Sequence, residues 1–135
     1  MSQTEHYNIL IVDDHPLVRK GLRQLISLAP ELMVIGEAEN GEQALALCAQ
    51  EVPDLIILDL SMQGISGLDT LRILRTEQHF LHVLILTISD AREDMQTALT
   101  LGADDYFVKD SDPEILLTAI RNGARQGRLR RQLPS

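Results

Sequence analysis

Three stretches of this chain are nearly unbroken runs of Ile, Leu and Val: NILIVD (8–13), DLIILD (54–59) and HVLILT (82–87). A strand with one wet face alternates apolar and polar residues. A strand apolar on both faces needs cover on both sides, which is the condition of a parallel sheet. Two further β-type runs, MVIGEA (33–38) and DYFVK (105–109), are shorter or more mixed and suit sheet edges.

Helical patterns lie between these runs. Val18, Leu22, Leu25, Ile26 and Ala29 form an apolar stripe at helical spacing, with Pro16 near its start, where a missing N–H costs nothing. NGEQALALCAQE reads as a second helix begun near Asn40, and SGLDTLRILRT places Leu68, Leu71 and Leu74 on one face. In SDAREDMQTALTLG the stripe is Ala91, Met95, Ala98 and Leu99, and Gly102 ends the helix. SDPEILLTAIRNG opens either with a Ser111…Glu114 capping box or at Asp112–Pro113; its stripe is Leu116, Ala119, Ile120 and Gly123. Five β-type runs alternating with five helices predict an α/β fold, a doubly wound five-stranded parallel sheet with helices on both faces.

At 135 residues the chain has the length of one domain. It contains no stretch of about 18 apolar residues, so no membrane association is expected. The polar start MSQTEHYN does not resemble a signal peptide. The single cysteine, Cys48, suits a cytoplasmic setting and reads as a small core residue of the second helix. Charge is distributed unevenly. Five of the twelve basic residues follow residue 120 and none of the twenty acids does, so residues 1–120 carry seven against twenty, a net of −13. Such a body repels a nucleic-acid backbone. The basic end, RQGRLRRQLPS, has no aromatic residue and no apolar period, and reads as a frayed terminus or a cut linker.

In a parallel sheet the carboxyl ends of all strands meet at one edge, where ligands of such folds bind. Strand one ends in Asp13 and Asp14, strand three in Asp59, strand four in Thr87 and strand five in Lys109. Paired acids after a strand are often only a helix cap, and Asp14 is placed to cap the first helix. The coincidence across four strands is the stronger signal. Three neighbouring carboxylates repel one another, and one tends to hold its proton. A divalent cation removes the conflict, and hard oxygen ligands suit Mg²⁺ or Mn²⁺. Lys109 and Thr87 add a positive charge and a hydrogen-bond donor for phosphate oxygens. Phosphoryl transfer needs mainly positioning and charge neutralisation, and a carboxylate can itself be the nucleophile.

These motifs, IVDDHP, IILDLSMQGISG, LILTIS and GADDYFVKDSDPE, resemble the receiver domain of two-component response regulators over about residues 7–124. DDHPLVRKGLRQLI, GEAENGEQAL and KDSDPEILLTAI are most similar to the NarL/FixJ subfamily. The resemblance implies strand order 2-1-3-4-5, a receiver over residues 1–125 and a tail or truncated linker over 126–135. It implies that Asp59 accepts a phosphoryl group from a sensor histidine kinase. Asp14 and Asp59 would bind Mg²⁺ directly, Asp13 through water, and the backbone carbonyl of Ser61 would complete the protein's share. Lys109 would pair with the phosphoryl oxygens, Thr87 would move to donate to one of them, and Tyr106 would turn inward as Thr87 moves. The surface formed by helix four, strand five and helix five is expected to change first. The chain would be a signalling switch, catalysing only its own phosphoryl transfer and dephosphorylation. Homodimerisation on activation is a further expectation. DNA would be reached only through a helix-turn-helix domain absent from this chain, which is either cut from a longer protein or a stand-alone receiver.

Two positions depart from common receiver patterns. Gln63 stands where many members have Pro, which suggests a looser loop. Lys109 is followed by Asp110, not Pro, which leaves the geometry of that peptide open. A phosphatase of the haloacid dehalogenase type fits less well, because the text after strand one is DDHP and the chain has no length for a cap. A flavodoxin-type module would set these acids against the FMN phosphate. A receiver acting without phosphate is the third alternative, and the full motif set argues against it.

Overall fold

The expected alternation is present in full in the computed structural model, which describes residues 6–62, 64, 66–77 and 80–133. Gln63 lies outside them. The elements are β1 (Tyr7–Val12), α1 (Pro16–Ile26), β2 (Leu32–Ala38), α2 (Gly41–Gln50), β3 (Leu55–Leu58), α3 (Gly67–Glu77), β4 (His82–Thr87), α4 (Arg92–Thr100), β5 (Asp105–Val108) and α5 (Pro113–Gln132). The sheet is parallel throughout and runs β2-β1-β3-β4-β5, so the two mixed strands are its edges.

Alternate side chains of the central strands feed two separate cores. Leu10, Val12, Ile56, Leu58, Val83 and Ile85 pack with Ala44 and Cys48 of α2 and Leu71 and Leu74 of α3. Ile9, Ile11, Leu55, Ile57, Leu84 and Leu86 pack with Leu22 and Ile26 of α1 and Leu116, Ile120 and Ala124 of α5. The unbroken apolar runs are thus explained, because each strand must satisfy both layers. Cys48 is buried, and loss of hydration pushes its thiol up to about 11, as befits a core residue.

Helix starts follow local chemistry. Asn40 caps α2 by accepting the Gln43 N–H at 2.8 Å. Of the two openings offered for α5, the Asp112–Pro113 start is the one formed: Asp112 Oδ1 accepts the Glu114 N–H at 2.8 Å and Pro113 takes the first helical position. Asp14 caps nothing; the N-cap of α1 is His15, whose side chain makes no capping bond. α4 departs from the apolar stripe, since Ala98 is its one buried residue and Met95 and Leu99 are exposed.

The basic end also departs from its sequence reading, because α5 continues from residue 126 to Gln132. Gly123, Ala124 and Gly127 are buried and let the helix backbone approach the amino ends of β3 and β4; a Cβ on Gly127 would lie 1.9 Å from the Asp54 carbonyl oxygen. The arginines beyond pair with two acids, Asp54, which is buried, and Asp104, which is partly exposed. Asp54 is fully covered and accepts Arg128 Nε and Nη2, each at 2.8 Å, with Arg131 Nη2 at 3.0 Å and the Asn8 N–H at 2.7 Å. Asp104 receives Arg75 at 2.6 Å and Arg130 at 3.1 Å. Burial opposes the Asp104 charge, but hydrogen bonds from Arg130 and the Val83 N–H, with His82 and Arg75 nearby, hold its carboxyl below the ordinary value.

Candidate phosphoacceptor and cation site

The sheet ladder extends one residue beyond several strands, and those residues are the acids and the lysine. The Asp13 N–H donates to the Ala38 carbonyl at 3.0 Å, Asp59 N–H to Val12 at 3.0 Å and Lys109 N–H to Thr87 at 2.8 Å. Backbone bonds therefore fix the Cα positions of Asp13, Asp59 and Lys109 before any ligand arrives. The peptide after Lys109 is not cis.

Asp13 and Asp59 are 2% and 1% exposed, at the floor of the site. Lys109 Nζ lies 2.8 Å from Asp13 Oδ2 and 3.4 Å from Asp59 Oδ2, bridging the two carboxylates. The Ser61 N–H donates to the other Asp59 oxygen at 3.2 Å. Burial, and then the Asp13 charge, raise the Asp59 pKa above the ordinary carboxylate value, against the pull of Ser61 and Lys109. Asp14 sits higher in the site. Its Oδ1 is buried and lacks a hydrogen bond, although His15 Nδ1 approaches it to 3.0 Å outside hydrogen-bonding geometry.

Four ligand atoms, one each from Asp13, Asp14, His15 and Asp59, lie within 4.8 Å of one another. This set fits a small divalent cation, because the orphaned Asp14 oxygen supplies an unused lone pair and the other two carboxylates are hard donors. The sequence-predicted Asp13, Asp14, Asp59 and Lys109 therefore converge. Thr87 ends β4 fully buried, and its hydroxyl has no hydrogen-bond partner among the described residues. Tyr106 on β5 is half-buried and donates its hydroxyl to the Ser89 carbonyl at 3.0 Å, which ties it to the segment leading from Thr87 into α4.

Two contributors escape the sequence reading. Arg19 on α1 donates from Nη1 to the Asp13 carbonyl at 2.6 Å and is itself held by Glu37 on β2 at 3.1 Å. An arginine on a helical face gives no sequence signal of that contact. His15 is the other: its backbone N–H and its ring Nδ1 approach Asp13 Oδ1 at 2.9 and 2.8 Å. Its adjacency to the acid pair in DDHP was the available clue.

Behind the site, Gly67 opens α3 against the backbone of Asp59. A Cβ there would stand 2.4 Å from the Asp59 carbonyl oxygen and 2.5 Å from Leu60 Cα. Gly67→Ala is expected to destabilise the fold by about 1 kcal/mol or more in urea melts, because backbone, not a flexible side chain, must move.

An open parallel sheet in this order, with acids and a lysine at its carboxyl edge, defines a phosphoacceptor module of the receiver class. The response regulator receiver domain model matches residues 9–121, and the chain belongs to that family, within its NarL/FixJ branch. It is 48% identical over 124 residues to the nitrate/nitrite response regulator protein NarL of Escherichia coli K12, covering 92% of this chain and 57% of that one. It is also 48% identical over 125 residues to the nitrate/nitrite response regulator protein NarP of the same strain, covering 93% and 58%. A crystal structure of a two-component response regulator of the LuxR family from Aurantimonas sp. SI85-9A1 superposes with a TM-score of 0.84 at 33% identity, covering 90% of this chain and 86% of that one. The chain thus spans little more than half the length of these curated relatives. Receiver domains are signalling switches that bind Mg²⁺ at the acidic pocket. No helix among the described residues is long and apolar enough to cross a membrane.

Proposed function

We propose that Asp59 is phosphorylated by a sensor histidine kinase and that the phosphoryl group switches the domain. The observation that carries this reading is a buried carboxylate at a strand tip, 1% exposed, with a lysine amine 3.4 Å away and a second acid on that same lysine. An Asp59 oxygen attacks phosphorus, the O–P bond forms, and the P–N bond of the donor phosphohistidine breaks. Asp14, Asp59 and the Ser61 carbonyl would hold Mg²⁺ directly and Asp13 through water, with Mn²⁺ as a substitute. The cation neutralises charge on the phosphoryl oxygens when bound. Lys109 leaves its bridge between the two acids for a phosphoryl oxygen. Attack of water on the same phosphorus returns the carboxylate, so the domain also resets itself.

A phosphoryl group brings about −1.5 to −2 charges and three acceptors. The unpartnered Thr87 hydroxyl is the donor free to meet one of them. Its movement displaces the segment that Tyr106 holds through Ser89, and the ring turns inward. The face of α4, β5 and α5 then changes; Met95 and Leu99 of α4 are already exposed. Such a shift selects between pre-existing arrangements. The reading extends to homodimerisation on activation and to transcriptional control through a DNA-binding domain, in the cytoplasm.

Phosphate-affinity electrophoresis after acetyl phosphate treatment tests the reading. Wild type is expected to give a Mg²⁺-dependent retarded band, and Asp59→Asn none. Absence of the band in wild type rejects the mechanism; its survival in the variant rejects Asp59 as acceptor.

A further inference from the structure

His15 has no part in the reaction just described, yet its ring nitrogen sits inside the acid cluster. We infer that His15 Nδ1 is a nitrogen ligand of the site's divalent cation and tunes the site toward transition-metal ions over Mg²⁺. The inference rests on the phosphoacceptor reading and adds a ligand to its metal.

The geometry is specific. Nδ1 lies 2.8 Å from Asp13 Oδ1 and 3.0 Å from Asp14 Oδ1. Adjacent ligands of an octahedral ion with bonds near 2.1 Å are separated by about 3.0 Å. The 3.0 Å spacing to Asp14, the neighbouring acid that would bind directly, thus puts the nitrogen where an adjacent ligand would stand. The contact with Asp14 is not a hydrogen bond, so the carboxyl oxygen and the ring nitrogen are close without satisfying each other. Lys109 Nζ lies 3.5 Å from the same nitrogen. The His15 backbone N–H also bonds to Asp13 Oδ1 at 2.9 Å, which limits where the ring can swing.

Coordination requires that Nδ1 carry no proton. A neutral imidazole with its proton on Nε2 presents the Nδ1 lone pair. Imidazole nitrogen favours transition ions, whereas Mg²⁺ takes oxygen ligands and water. A site of three carboxylates alone would separate Mn²⁺ from Mg²⁺ only weakly.

The test uses Mn²⁺ as a spectroscopic probe. Electron spin-echo modulation of the Mn²⁺-loaded protein is expected to show a directly bound ¹⁴N, replaced by the ¹⁵N pattern when the protein is grown on ¹⁵N-histidine. The signal should vanish in His15→Gln and His15→Ala. The His15 side chain is 58% exposed, so both variants should fold, and isotope labelling needs no substitution at all. By calorimetry, Mn²⁺ affinity should fall about tenfold in the variants and Mg²⁺ affinity less than about twofold. Wild type without nitrogen modulation overturns the inference, as does an equal fall for both ions. Acetyl phosphate labelling of Asp59 on the same samples separates the two readings. Labelling with no nitrogen signal removes His15 as a ligand and leaves the acceptor. A nitrogen signal without labelling keeps the ligand and removes the acceptor.

Discussion

A chain cut after residue 125 is expected to lose about 3–5 kcal/mol of folding stability, read as a lower urea midpoint. The cut removes Arg128, Arg130 and Arg131 while leaving the acids they cover. Asp54 is fully buried and would keep only the Asn8 N–H; Asp104 would keep Arg75 and the Val83 N–H. A buried carboxylate stripped of its cation costs far more than an exposed pair is worth. Adding Asp54→Asn to the cut chain should recover part of the loss, because the amide carries no charge to strand. A cut chain within about 0.5 kcal/mol of the full one, the usual scatter of surface changes, would show the arginine clamp contributes nothing.

In metal-free buffer at neutral pH, Asp59→Asn should be more stable than wild type by on the order of 1–3 kcal/mol, although under the proposed function it removes the acceptor. Asp59 sits in a buried place beside Asp13, and its folded-state pKa is raised above the ordinary 3.8. The folded state therefore binds that proton more readily than the unfolded chain. Ionised Asp59 costs stability at neutral pH, and the cost is relieved as pH falls through the raised value toward 3.8. The advantage of the variant should accordingly shrink over that acid range. Lys109 keeps its shorter contact with Asp13 in the variant, so no cation is orphaned. Mg²⁺ should then reverse the order in part: at a hundredfold excess over its dissociation constant it adds about 2.7 kcal/mol to wild type, and less to a variant missing one ligand charge. Urea melts across pH, with and without Mg²⁺, read both effects. A variant less stable than wild type without metal would show that the carboxylate is not under strain.

Much of this molecule is legible in its residues. The runs around Ile9–Val12, Leu55–Leu58 and Val83–Leu86 announce strands covered on both faces, because no one-sided strand tolerates such continuity. Asp13, Asp59 and Lys109 mark the carboxyl edge because each ends such a run. The reading fails where a residue's meaning depends on a distant partner. RQGRLRRQ shows no apolar stripe, so the last two turns of α5 look like a tail. Gly123 and Gly127 bury backbone rather than side chain, and the arginines pair with acids far back in the chain, Arg128 with Asp54 across 74 residues and Arg130 with Asp104 across 26. Met95 and Leu99 fail in the opposite sense, since a helical apolar period says nothing about which face the sheet edge reaches.

By itself the order of residues determined the layer architecture, the identity of the strand-tip acids and the lysine, and the family to which they belong. These follow from periodicity and from local chain chemistry. Only the folded chain decided that one lysine bridges Asp13 and Asp59, that Asp14 keeps an oxygen unpaired, that His15 leans into the acids, and that the last turns of α5 are held by the buried Asp54. Distances between side chains far apart in sequence are set by how two layers pack on a twisted sheet, and no local pattern encodes them.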